Sequence, residues 1–267
     1  MPQARLSDNF DDTYSLAWTS LDMASILRQG KTLISCAADG SLCHADASSF
    51  FERAQAQLQD LTFWAQEKRS RLPTKSVQLS QDHQGTMTAY PKRIDVYNNT
   101  SQATTCNIWR NSKIIILKVM IQVLQTLSAK SNPTQALAYF DQIISHGDAI
   151  RELIDDICAS IPFYMNPMEP ETMVKYYPHA PGEHVLPLMP GPSLIKSVNQ
   201  YAIAVQIAFE VEQAPSQQRM WLQQYLMVLA KDPTGITPRH LMLDSYLGSR
   251  HGACYSLLQQ GLHVSRL

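Results

Sequence analysis

Residues 107–129, NIWRNSKIIILKVMIQVLQTLSA, decide how the rest of the chain is read. One apolar stripe steps through Ile116, Val119, Met120, Val123 and Leu127, and a second through Ile114, Leu117, Ile121 and Leu124. Steps of three and four residues are those of a helix. Asn111, Lys118, Gln122 and Gln125 form a narrow polar face. A helix that is apolar over most of its circumference has to be surrounded by other helices. The stretch therefore predicts an all-α fold of about seven helices with this one as its largely buried centre.

Downstream, Asn132-Pro133 supplies a helix cap followed by proline at the first helical position. Leu137, Phe140 and Ile144 then face one way, and Ile150, Leu153, Ile154, Ile157 and Ile161 continue the stripe. Gly147 predicts a bend or short break between the halves, and Pro162 predicts a stop at Ile161. A proline-rich connector follows over 162–192. Three further helices are expected, one through Leu194, Val198, Tyr201, Val205 and Phe209, one from Ser216 through Trp221, Tyr225 and Leu229, and one from Thr237-Pro238 to Leu247.

Upstream, a first helix ends at Gly30, and a small-residue stretch runs over 35–47. Ser49 with Glu52 has capping-box spacing ahead of Phe51, Ala54, Leu58, Leu61 and Trp64, an amphipathic helix. Residues 72–101 are polar, hold Pro73 and Pro91, and read as a long connector, in part disordered. No strand of useful length is predicted anywhere. The organisation expected is a helical segment 1–71, a connector 72–101 and a helical core 102–267, with 1–71 packed onto that core as one domain.

Composition narrows the function classes. The 267 residues are 45% hydrophobic and 17% charged, and the formal net charge is −1. That charge content is below the roughly one quarter usual for soluble domains, and the balance gives no basic footprint for nucleic acid. The cations at 68–71 sit at a helix end, where they complement the dipole. Cys36, Cys43, Cys106, Cys158 and Cys254 include no C-x2-C pair, so no zinc site is expected, and Cys158 falls on an apolar stripe as a buried hydrophobe. Neither a signal-peptide pattern nor a membrane span is evident, which places the chain in the nucleus or cytoplasm. With 10 glycines and no glycine-rich phosphate loop, a nucleotide cofactor is not expected.

Few residues suggest chemistry. His179, Glu183 and His184, in YYPHAPGEH, group two imidazoles and a carboxylate within six residues, the candidates for metal binding or acid–base work. On a proline-broken loop that spacing fixes no geometry. Cys36, Cys43 and His44 lack a fourth ligand and read as a connector. Asp155 and Asp156 point about 100° apart on a helix, so they suit a solvated face with an Arg151–Asp155 pair. His146 and His251 read as helix-end residues. Arg110, beside Trp109 at the entry of the apolar helix, needs either solvent or a buried acceptor. It reads first as an ion pair anchoring the helix, and otherwise as a recogniser of an acidic ligand. Trp109, Arg110 and Tyr164 are the candidate ligand-lining residues; no metal and no cofactor is expected.

Three segments carry a resemblance. WRNSKIIILKVMIQVL (109–124), IRELIDDICASIPFYM (150–165) and PSQQRMWLQQYLMVLAKDPTGI (215–236) occur in this order. Together they resemble the C-terminal regulatory region of fungal zinc binuclear-cluster transcription factors, over roughly Thr104 to Leu247. The "DDIC.S.P" segment is the most specific of the three. The resemblance implies an all-helical regulatory domain that senses an effector or contacts a dimer mate or coactivator, often in control of secondary-metabolite genes. Two departures stand out. The family's six-cysteine DNA reader has no counterpart, and QYAIAVQIAFE (200–210) lacks the usual Trp-Pro step.

The expectation is therefore a regulatory or interaction protein lacking the DNA-binding module, with a protein partner or a second copy of itself, no direct nucleic acid and no membrane. The alternative is a protein of a secondary-metabolite pathway, binding or converting a hydrophobic small molecule on the same scaffold. A domain cut from a longer regulator is the third reading. Enzymatic activity is not the favoured one.

Overall fold

Among the residues that the computed structural model describes, helices dominate, joined by one two-stranded hairpin. Those residues are 16, 22–41, 44–69, 75–78, 93–165, 214–216, 218, 219 and 222. The helices expected after residue 192, and the 162–192 connector beyond Met165, lie almost wholly outside them. The all-α character holds for the described part.

Helix α1 spans Met23–Ala38 and runs straight through Gly30, which the sequence pattern marks as its end. The actual terminator is Gly40, at φ 78. Its N–H reaches the Ala37 carbonyl at 3.2 Å, and Ser41 N–H reaches the Cys36 carbonyl at 2.9 Å. That pair of bonds closes the last turn around a left-handed residue, a conformation glycine adopts without a Cβ penalty. Gly30 serves packing instead. It is buried where α1 crosses its neighbours, and a Cβ there would stand 2.4 Å from Val119 Cγ1.

Helix α2 spans His44–Arg69, so the Ser49/Glu52 pair lies inside it and caps nothing. The apolar stripe does face the core: Ala54, Leu58, Leu61 and Trp64 are buried. After it come β1 (Lys75–Gln78) and β2 (Arg93–Val96), paired antiparallel with Ser76 opposite Asp95 and Val77 opposite Ile94. This hairpin stands where the sequence predicts only connector. Its strands are four residues each, too short for alternation to register. Ile94 and Asp95 are moreover both buried, so inward and outward positions do not alternate.

Helix α3 spans Thr100–Ser128 and begins well before Asn107. Asn99 caps it: the Gln102 N–H donates to Asn99 Oδ1 at 2.9 Å, while Gln102 Oε1 accepts from the Asn98 N–H at 3.1 Å. Ile114, Ile116, Leu117, Met120, Ile121, Val123 and Leu124 are all buried, and so is Asn111, expected on the polar face. Helix α4, Pro133–Met165, starts on the expected cap, with Gln135 N–H on Asn132 Oδ1 at 3.0 Å. It continues unbroken past Gly147 and past Pro162. A glycine costs a helix interior about 1 kcal/mol and a proline about 3. Burial of Ile150, Ile154, Ile157, Ile161 and Phe163 outweighs both, at about 1.5–3 kcal/mol for each large apolar side chain.

Ile26 of α1, Phe50 and Leu61 of α2, Ile114 and Ile121 of α3 and Ile154 of α4 meet in one core. The exposed pair of Arg53 with Asp22, at 2.6 Å, adds at most about 1 kcal/mol beside it. No described helix is long and apolar enough to cross a membrane.

Candidate functional site

Arg110 raises the sharpest question in the sequence, and the structure places its guanidinium inside the fold. About three turns into α3, it is 7% exposed. Nη1 donates to Tyr97 Oη at 2.9 Å and to Asn107 Oδ1 at 2.8 Å. Nη2 lies 3.5 Å from Asp95 Oδ2 and Nε 3.6 Å from Asp156 Oδ2. The Nε distance is within ion-pair range but beyond a hydrogen bond, and Nε has no hydrogen-bond partner. Asp95 Oδ1 also accepts from Ser76 Oγ at 2.6 Å and Arg93 Nε at 3.2 Å, and Arg93 reaches across to Asp156. Asn107 Nδ2 continues the chain to Ser160 Oγ at 2.9 Å.

Two arginines thus face two aspartates, and the set links the hairpin, α3 and α4. Burial alone would lower the Arg110 pKa, but Tyr97, Asp156, Cys106 and Asp95 around it raise it, so the charge is permanent. Burial pushes the Tyr97 phenol and the Cys106 thiol up, against the pull of Arg110. Both stay protonated at neutral pH, and neither is an activated nucleophile. The Tyr97 ring meets Phe163 edge-on at 5.3 Å. Chemically, this is a neutralised cluster whose charges are paired within the fold, with Arg110 Nε alone left without a hydrogen bond.

The aspartates themselves part company, as adjacent helical residues must. Asp156 is drawn into this cluster instead of lying on a solvated face. Asp155 accepts from Gln218 Nε2 at 2.5 Å, and Arg151 pairs with Asp148 rather than with Asp155.

The second feature is a cleft of about 380 Å³ where α2, α3 and α4 meet. Gln55, Gln59, Thr62 and Gln66 come from one face of α2; Lys113 and Leu117 come from α3, His146 and Ala149 from α4. Leu58 and Phe63 complete the lining. Trp109 stands beside it: its indole N–H donates to the Leu61 carbonyl at 2.7 Å, and the Lys113 ammonium lies 5.1 Å from the ring centre. Lys113 Nζ also donates to Thr62 Oγ1 at 3.3 Å. Burial lowers the Lys113 pKa, with distant Asp156 opposing, and burial lowers that of His146. His146, expected at a helix end, is half-buried in the middle of α4.

Of the residues singled out from sequence, Arg110 and Trp109 sit on adjacent positions of α3 but serve different places, the polar cluster and the cleft rim. Tyr164 lies in the last turn of α4, with its side chain outside the described set. His179, Glu183 and His184 also lie outside the described residues. Lys113 and His146 are lining residues that sequence reasoning misses. The one available signal is the i, i+4, i+7, i+11 run of Gln55, Gln59, Thr62 and Gln66, which reads as a solvent face until α4 is laid beside it. Among the described residues no three His, Cys, Asp or Glu side chains converge as metal ligands.

No family model matches the chain, and neither a curated protein nor a solved structure matches it significantly.

Proposed function

We propose that this chain is a regulatory interaction module, built like the regulatory region of fungal zinc-cluster transcription factors but without their DNA reader, and acting in control of secondary-metabolite genes. On this reading the complete body is an all-α domain of about seven helices with α3 at its buried centre, working in the nucleus or cytoplasm. The observation that supports it is on α4. Leu137, Phe140 and Ile144 are 65%, 53% and 60% exposed, while the same helix buries Ile150, Ile154 and Ile157 completely. Large apolar residues at i, i+3 and i+7 form a stripe that a second amphipathic helix fits. The partner proposed is another helical regulatory domain of the same kind.

Deleting the gene in its host and profiling transcripts and metabolites together tests this. Transcripts of neighbouring genes are expected to collapse. A strain carrying Leu137→Ser, Phe140→Ser and Ile144→Ser together should reproduce that collapse while the purified variant keeps its helical circular dichroism. Unchanged transcripts with one accumulating intermediate would overturn the regulatory reading. They would favour the second one, a small-molecule protein of the pathway, for which the cleft beside Lys113 is the supporting feature.

A further inference from the structure

The cleft has a chemical signature of its own. Its ten lining residues include one lysine, one histidine, three glutamines and a threonine, and no aspartate or glutamate. Leu58, Leu117 and Ala149 give it an apolar wall. Lys113 is half-buried there, and among the described residues its ammonium meets only the Thr62 hydroxyl and the Trp109 ring, with no carboxylate in ion-pair range. A cation partly withdrawn from water and without a paired carboxylate is left free to meet an incoming anion. At about 380 Å³ the space is an open depression whose volume falls at the lower end of small-molecule sites, which run from roughly 300 to 1,000 Å³.

We propose that this cleft binds a small amphipathic carboxylic acid, its carboxylate on the Lys113 ammonium and its apolar body against Leu58, Leu117 and Ala149. The planar Trp109 face holds the ammonium at the edge of the space, so the charge is positioned before the ligand arrives. Gln55, Gln59 and Gln66 offer amide donors and acceptors along the open side. His146, whose pKa burial lowers, adds a hydrogen-bonding ring nitrogen from the α4 side. Lys113 as a cation–π anchor alone would explain the Trp109 contact but not a cleft floored with leucine and free of acids.

His146 and Ala149 lie roughly half a turn round α4 from the Leu137–Phe140–Ile144 stripe. The site therefore stands or falls independently of the interaction surface.

The probes are decanoate and decanol, equal in chain length and differing in charge, titrated calorimetrically into the 267-residue chain near pH 7.5. Decanoate should bind at least about tenfold more tightly than decanol, the margin of one charge-assisted hydrogen bond. Lys113→Met keeps the aliphatic stem and should bring the two probes within about twofold, while Lys113→Arg should keep the preference. Ala149→Leu should weaken both probes by filling the wall. Circular dichroism establishes that each variant is folded. Equal binding of the two probes, no binding at millimolar concentration, or a preference that survives Lys113→Met overturns the proposal.

Discussion

Replacing Arg110 with methionine is expected to cost about 3–5 kcal/mol of folding free energy, the range for removing one partner from a buried ion pair. The side chain is close in length, so little cavity opens. What is lost is the guanidinium shared by Tyr97 Oη, Asn107 Oδ1, Asp95 and Asp156. Asp95 suffers most. It is 2% exposed, and Arg93 Nε at 3.2 Å and Ser76 Oγ at 2.6 Å cannot replace the missing charge on its other oxygen. Urea denaturation of the variant measures the cost. Asp95→Asn in the Arg110→Met background should recover part of it, because the unpaired charge is then gone. Arg110→Lys should recover little, since a single ammonium cannot reach Tyr97, Asn107 and both aspartates at once. A loss below about 1 kcal/mol for Arg110→Met would show the cluster to be ornamental.

The second large effect is expected at Gly30. In an exposed helix interior, Gly→Ala is a gain of about 0.5–1 kcal/mol. Here the sign should reverse, to a loss of about 1–3 kcal/mol, the usual cost of overpacking. The new methyl would stand 2.4 Å from Val119 Cγ1 and 3.2 Å from Phe50 Cε2. Neither neighbour yields easily. Val119 is β-branched and has one favoured rotamer in a helix, and Phe50 is fully buried. Val119→Ala should therefore suppress Gly30→Ala, with the double variant more stable than the sum of the single losses predicts. Thermal unfolding of the three proteins decides it, and strict additivity would mean that the two helices simply slide apart.

These two positions also mark how far the fold is legible in the sequence. The apolar stripes of α3 are readable because local chemistry and tertiary burial agree there, and the exposed Asn132-Pro133 start of α4 because a cap answers to local chemistry alone. Gly30 and Gly40 look alike as letters. One fits a helix crossing and the other a positive φ, and only φ and the neighbouring helix distinguish them. Pro162 reads as a stop because local cost is visible in sequence while the burial of Ile161 and Phe163 is not. Arg110 advertises a need for a buried acceptor, yet its partners come from Asp95 in a four-residue strand and from Asp156 on the far half of α4. The cleft is the least legible feature. Its polar face on α2 has the pattern of a solvent face, and Lys113 acquires meaning only once Trp109 and α4 surround it.

The polar cluster also has a kinetic side. Arg93 and Asp156 are 63 residues apart, and Asn107 and Ser160 are 53 apart. Contacts that close such long loops are expected to form after the helices between them have docked, since the chain entropy of closure has to be met first. Interactions absent from the folding transition state slow unfolding without speeding folding. The cluster should thus act as a latch: weakening it at Asp156, which closes the 63-residue loop to Arg93, is expected to raise the unfolding rate by most of the lost stability while the refolding limb of the chevron stays put. What those buried charges then confer on the protein is lifetime, the time a folded chain persists before it opens to a protease.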